Sequence, residues 1–307
     1  MRTLPLSLVA LAACSAPAPE VHAFTSGADG FDTTTYWIDS GEEVVVFDTQ
    51  FTPALAEQML AEIEASTDSP VTTVVLTHPN PDKYNGAPVF QQAGATVIAS
   101  QATADAIPGV HAYKKAYFVG AGMYTDDTYP AEATVDQTFD GELVLDLGNR
   151  LDLRLVELDQ PGVSSTQTVA SLPGALVVGD LVAGGVHAWL EGGIVDGVAT
   201  PTLDGWRADL AQLAEIDPDA TVYPGRGAAG PVGVVAAEQT AYLDGMEQLV
   251  ADYVDGLEDP AAALGGAEAG EHYAAITAAA EEMVPEYGLS YLITYGVYGL
   301  AWQEAGE

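Results

Sequence analysis

His78, Asn80, Asp82 and Lys83 fall within six residues of one another, in Thr77-His78-Pro79-Asn80-Pro81-Asp82-Lys83. An imidazole and a carboxylate so placed are metal ligands or proton carriers. A lysine amine beside them is a cation, unless burial lowers its pKa and makes it a nucleophile. Asn80 is a poor zinc ligand through its amide oxygen. The segment reads as a loop able to hold a metal or to move a proton. His78 is the candidate general base and Lys83 the candidate nucleophile. A lone histidine at a strand end also serves as an ordinary hydrogen-bonded residue, and that alternative stands beside the catalytic one.

The elements that position this loop follow from hydrophobic patterning. The run from Val71 to Leu76, bounded by Pro70, predicts a buried strand leading into it. Tyr36-Trp37-Ile38 and Val44-Val45-Val46-Phe47 flank a turn at Gly41 and predict a hairpin. Pro53–Ser66 carries Leu55, Met59, Leu60 and Ile63 at helical spacing. A helix near 86–93 and a strand at 95–99 follow. Residues 107–141 lack clean periodicity and hold Tyr113, Tyr117, Phe118, Tyr124 and Tyr129, which predicts a packed loop. Strands are expected near 143–147, 151–158, 167–171, 175–179 and 221–223, with a helix at 205–215. From residue 234 the chain turns Ala/Glu-rich and helical, broken at Gly265-Gly266.

With the loop at the end of such a strand, the chain resembles the metallo-β-lactamase superfamily, whose motif there is His-x-His-x-Asp-His. The same frame here is His78-x-Asn80-x-Asp82-Lys83. Gln160-Pro161-Gly162-Val163 resembles a later family segment, with Val163 in a histidine place. Gly179-Asp180 resembles the one that carries the bridging aspartate, and Tyr223-Pro224-Gly225-Arg226-Gly227 the last turn, with Arg226 in the histidine place. The resemblance spans residues 35–230 and implies an α/β fold, a four-layer αββα sandwich with a C-terminal helical segment. It implies that Asp48 supports the motif loop from behind. The corresponding division is a signal peptide at 1–13, a tether at 14–23, the sandwich at 24–233 and the helical segment at 234–307.

The replacements bear on the chemistry. Val163 cannot ligate, and Lys83 and Arg226 repel a metal while charged. Beside Asp82 and Asp180 they would balance charge without one. No metal is therefore expected, zinc on His78, Asp82 and Asp180 being the alternative. Asn80, Asp82, Asp180 and Arg226 become candidate ligand-binding residues, joined by His187, seven residues past Asp180. The leading expectation is a small ligand, anions included, held in the former hydrolase cleft. The first alternative is a hydrolase with one remodelled metal, cleaving an ester, thioester, lactone or β-lactam. The second is an envelope scaffold with a packed cleft. His22, His111 and His272 match no family position, and no nucleophile elbow, phosphate loop or dinucleotide glycine pattern competes.

The chain carries 8 basic against 45 acidic residues, a formal net charge of −37, which disfavours nucleic acid as a partner. Arg2, the apolar stretch Leu4–Ala13 and the sequence Leu11-Ala12-Ala13-Cys14 form a secretory signal that resembles a bacterial lipobox. Lipidation of Cys14, the one cysteine, would place the protein outside the cytoplasm, anchored to the bilayer of the cell envelope. An ordinary cleaved signal is the alternative.

Overall fold

Successive side chains of a strand point to opposite faces of its sheet, and in Tyr36-Trp37-Ile38 and Val44–Phe47 every one is apolar. Such strands need cover on both faces. In the computed structural model, which describes residues 18–306, they have it. Tyr36, Ile38, Val45 and Phe47 enter a core shared with Leu153, Leu155, Leu172 and Val177 of a facing sheet. Trp37, Val44 and Val46 enter a second core beneath Met59 and Ile63.

The first sheet contains β1 (His22–Thr25), β2 (Thr34–Asp39), β3 (Val44–Phe47), β4 (Val71–Val75), β5 (Thr96–Ser100) and β6 (Gln137–Phe139), in that order. Its pairings are antiparallel from β1 to β3 and parallel from β3 to β6. The helices of this half are α1 (Pro53–Ser66), α2 (Pro81–Tyr84), α3 (Ala87–Gln92) and α4 (Gln101–Gly120). The second sheet combines β7 (Glu142–Asp146), β8 (Asp152–Glu157), β9 (Thr168–Leu172), β10 (Ala175–Gly184), β13 (Thr221–Gly227) and β14 (Gly230–Pro231), in the order β14-β13-β10-β9-β8-β7. A separate hairpin pairs β11 (Gly193–Val195) with β12 (Val198–Thr200). The outer layer on this side is α5 (Leu203–Ile216), α6 (Val232–Asp255), α7 (Pro260–Gly265), α8 (Ala269–Met283) and α9 (Tyr291–Glu304). Leu210, Val222, Met246, Ile276 and Leu300 share one core there, so the C-terminal helices are part of the sandwich's outer layer. The fold is the αββα sandwich.

Two expectations change. The packed loop expected over 107–141 is α4 as far as Gly120, and only its remainder is irregular up to β6. The buried positions of α4 include Ile107, Val110, His111, Lys114 and Phe118, a regular helical stripe. A histidine and a lysine occupy that stripe, so apolar periodicity alone does not reveal it. Pro108 removes one hydrogen bond but does not end the helix. The sheet also begins at His22, inside the expected tether, because Ala23 and Phe24 pair with Tyr36 and Thr35. The segment expected to be a signal peptide, and Cys14, lie outside the described residues. Among those residues no helix is long and apolar enough to cross a membrane.

Candidate functional site

The centre is assembled from three chain segments. The first follows β4. Asp48 is buried and accepts hydrogen bonds from the Thr77 backbone N and hydroxyl, both at 2.9 Å, which holds the motif loop against β3. Thr77 Oγ1 lies 3.0 Å from His78 Nδ1. Pro81 opens the one-turn helix α2, which places Asp82 and Lys83 side by side. The second segment is β10, whose register against β13 shifts around Gly179 and so re-aims Asp180. Gly179 has φ +52, and a Cβ there would lie 2.4 Å from Thr77 Oγ1. The third is β13. A Cβ on Gly225 would lie 2.3 Å from Asp180 Oδ1 and 3.0 Å from Lys83 Nζ, so only glycine lets this strand pass and deliver Arg226.

Four charged side chains then close on one another. Lys83 Nζ is 2.6 Å from Asp82 Oδ2 and 2.8 Å from Asp180 Oδ1. Arg226 reaches Asp180 Oδ2 at 2.5 Å and Asp82 Oδ2 at 3.0 Å. Its Nε donates to the Phe31 carbonyl at 2.8 Å, and an NH2 group donates to Thr33 Oγ1 at 3.0 Å. Thr33 in turn donates to Asp82 Oδ2 at 3.0 Å. Lys83 is fully buried, and Asp82, Asp180 and Arg226 are 5–7% exposed. His78 Nε2 sits 3.6 Å from Asp180 Oδ2, outside hydrogen-bond reach, and has no hydrogen-bond partner among the described residues.

Burial penalises every charge in this group, yet the ion pairs prevail. Against that penalty, Lys83 and Arg226 hold Asp82 below the usual carboxylate range, and Arg226 and Lys83 hold Asp180 well below it. Burial likewise opposes the Lys83 charge, but Asp180 and Asp82 raise its pKa above that of a free lysine. A nucleophilic Lys83 needs the opposite shift and a free lone pair, whereas its Nζ stands against both carboxylates. Asp48 shows what burial does when a carboxylate has no cation in contact. Its pKa rises to about 6, because burial outweighs the pull of Lys83 and His78.

Aromatic side chains cover the centre. Phe31 packs edge-on against Phe51 at 4.9 Å, with Phe118 at 5.6 Å and Trp189 at 6.1 Å. It does so from a left-handed backbone conformation, φ 61, that is costly for a bulky residue. Arg226 fixes that conformation through the Phe31 carbonyl. Between this cover and the carboxylates remains a cavity of about 20 Å³, room for a single water. A second buried ion pair, Lys114 with Glu191, lies at its edge, and Glu191 also accepts from Trp189 Nε1 at 3.0 Å and from the Tyr298 hydroxyl. Lys114 lies 4.8 Å from the Trp189 ring centre, a cation–π contact.

Of the candidate residues, His78, Asp82, Lys83, Asp180 and Arg226 come together. Asn80 lines the small cavity but joins none of the ion pairs. His187 stands close behind, fully buried and 3.1 Å from the Tyr242 hydroxyl through Nδ1. Val163 is packed among Leu158, Leu181 and Trp206 in the outer core. The sequence reading missed Lys114, Glu191 and the cover. One signal was available: in a chain with eight basic residues, a lysine within an apolar helix stripe invites a search for its buried partner.

The sequence profile of the metallo-beta-lactamase superfamily matches residues 28–226, more than half the chain, and the protein belongs to that superfamily. No curated protein sequence matches it. Among solved structures it is similar to a metallo-beta-lactamase from Pontibacter korlensis, with 22% identity and TM-score 0.56, over 75% of this chain and 96% of that one. It is also similar to TMB-1, with 18% identity and TM-score 0.54, over 75% and 99% of the two chains. A third is the mono-zinc form of FIM-1 from Pseudomonas aeruginosa, with 18% identity and TM-score 0.51, over 72% and 89%. At these identities the likeness establishes the fold alone.

The zinc that family membership suggests does not fit these residues. Such a site needs three or four donors facing a shared space. Here His78, Asp82 and Asp180 face Lys83 Nζ and the Arg226 guanidinium, whose nitrogens already stand 2.5–3.0 Å from the carboxylate oxygens. Among the described residues no group of three or more His, Cys, Asp or Glu has the geometry to hold a metal.

Proposed function

We propose that this chain is a metal-independent member of the superfamily that binds a small ligand at the mouth of its cleft and does not hydrolyse it. One observation carries the reading. Lys83 and Arg226 lie between Asp82 and Asp180, their nitrogens within 3.0 Å of the carboxylate oxygens. Two carboxylates and two cations leave the centre neutral, and the cavity beside it admits one water. An anion, which the sequence reading included among the small ligands, finds no free cation among the described residues that line this cavity, since Glu191 holds Lys114.

His78 favours a second reading. Its Nε2 is buried without a partner and directed at Asp180, as in a one-metal hydrolase built on His78, Asp82 and Asp180. That reading requires Lys83 and Arg226 to be displaced, and two buried carboxylates then lose their counter-ions.

Elemental analysis of protein purified without chelators separates the two. Well under one metal per chain is expected. One tightly held equivalent, lost on His78→Ala, would establish the hydrolase reading instead. The converse test restores imidazoles with Asn80→His, Lys83→His and Arg226→His together, leaving Val163 in its core; this variant should gain zinc. The proposal also places the protein on the cell envelope through a lipidated Cys14. Cys14→Ser should release it to the soluble extracytoplasmic fraction or leave it unprocessed in the inner membrane. Unchanged processing, with no lipid mass on the wild-type N-terminal peptide, would exclude the anchor.

A further inference from the structure

Outside the aromatic cover lies a cavity of about 410 Å³, lined by Ala28, Asp29, Phe31, Met123, Tyr124, Tyr291 and Tyr295. Three chain regions meet here: the turn before β2, the end of α4 with the turn beyond it, and the start of α9. The ring centres of Tyr291 and Tyr295 are 6.2 Å apart with planes at 80°, and Phe31 stands edge-on to Tyr295 at 6.2 Å. Tyr295 also stacks on Trp189 at 6.0 Å, so the aromatic rings of the lining meet one another at several angles. Two carboxylates accompany them. Asp29 lines the cavity, and Asp32 accepts the Tyr291 hydroxyl at 2.7 Å. A phenol that donates to a carboxylate has a more electron-rich ring. No basic residue is among the lining residues.

We propose that this cavity binds a small organic cation of the quaternary ammonium class, held by Tyr124, Tyr291, Tyr295 and Phe31 with Asp29 as its counter-charge. An alkylammonium head suits both parts of the lining, since its methyl groups pack on ring faces while its charge meets their negative quadrupole. The contrast with the inner centre supports the choice. There Asp82 and Asp180 each contact an internal cation, whereas here Asp29 is exposed and forms no ion pair among the described residues. The chain's net charge of −37 adds long-range attraction for any cation and repulsion for any anion. Phe31 belongs to both regions, its ring in the cover and its carbonyl on Arg226, so a ligand at the mouth rests on the backbone that the inner centre holds. The inference builds on the binding reading proposed above and names the ligand's chemistry.

The test is calorimetric titration with choline at constant ionic strength, with neutral 3,3-dimethyl-1-butanol as the uncharged isostere. Choline should bind saturably and about tenfold or more tightly than the alcohol, the scale expected of partly desolvated cation–π contacts. Tyr295→Leu should abolish that preference. Should that variant misfold, Asp29→Asn at an exposed position should weaken choline about threefold or more, while Glu57→Gln on α1, an equal loss of charge, leaves it unchanged. Equal binding of the alcohol, equal effects of Asp29→Asn and Glu57→Gln, or no saturable signal would each overturn the proposal. Metal content of the same preparation reads the metal-independent proposal separately, so failure of one is not mistaken for failure of the other.

Discussion

Asp180 and Asp209 are both buried aspartates in the second half of the chain, and their environments drive them in opposite directions. Asp180 meets Arg226 and Lys83, and is held well below the usual carboxylate range despite its burial. Asp209, on α5, meets no cation among the described residues. Its Oδ1 accepts the Gln160 backbone N at 3.3 Å, and Oδ2 has no partner among them. Burial raises its pKa to about 7, with a smaller contribution from Asp159. Inside this protein, burial alone raises an aspartate's pKa, and a contacting cation reverses that shift. Asp82 and Asp180 therefore depend on Lys83 and Arg226 for their charge.

The largest expected effect comes from removing one of those cations. Arg226→Ala should destabilise the protein by about 3–5 kcal/mol in chemical denaturation, the usual cost of stranding one side of a buried pair. Adding Asp180→Asn should recover part of that loss, because the stranded charge goes with it. A neutral Arg226→Ala would mean that water reaches the centre and screens it.

Asp209 gives a smaller effect of opposite sign. Its folded pKa of about 7 lies above the unfolded value of 3.8, so folding takes up a proton between those values. Its contribution is fully present below pH 3.8 and is lost as pH rises through 7. Asp209→Asn should raise stability at pH 8 by about 1–2 kcal/mol relative to wild type and flatten the decline above pH 4. The inner pair behaves in reverse. Asp82 and Asp180 have lowered pKa values, so their contribution is present at neutral pH and is lost as pH falls below the ordinary carboxylate range. Denaturation midpoints across pH 3 to 8 for wild type, Asp209→Asn and Asp180→Asn resolve the two slopes. Parallel curves for all three would break the comparison.

Salt should have the smallest effect, and it distinguishes surface from interior. The exposed acids of a chain with net charge −37 repel one another, and molar NaCl or KCl shortens the Debye length to about 3 Å. The Tm should rise by a few degrees, similarly for both salts. The Arg226→Ala penalty should barely change, because a buried pair is little screened. A penalty that shrinks in parallel with added salt would show that the centre is hydrated.

Much of this molecule is written locally. The two-sided apolar runs at 36–38 and 44–47 require a sheet covered on both faces, and that is how β2 and β3 are placed. His78, Asp82 and Lys83 are readable together because they occupy a single turn after β4. Arg226 is 144 positions from Asp82, and it was found through the turn that carries it rather than through any charge pattern. Helix α4 was hidden for the opposite reason: His111 and Lys114 occupy its buried stripe, and their partners come from Tyr129 and from Glu191, the latter 77 positions away.

The sequence by itself determined the layers and the motif loop, since both depend on residue type and short-range spacing. Tertiary structure alone decided the rest. It set the 2.5–3.0 Å contacts that neutralise the centre, the close approach at Gly179 and Gly225, and the seal that Phe31 makes from a strained backbone. It also decided that residues 29–31, 123–124 and 291–295 share one cavity. The physical reason is range. Strand and helix patterns arise among near neighbours along the chain, whereas desolvation, ion pairing and cavity shape depend on which distant segments the two sheets and the last helix bring into contact.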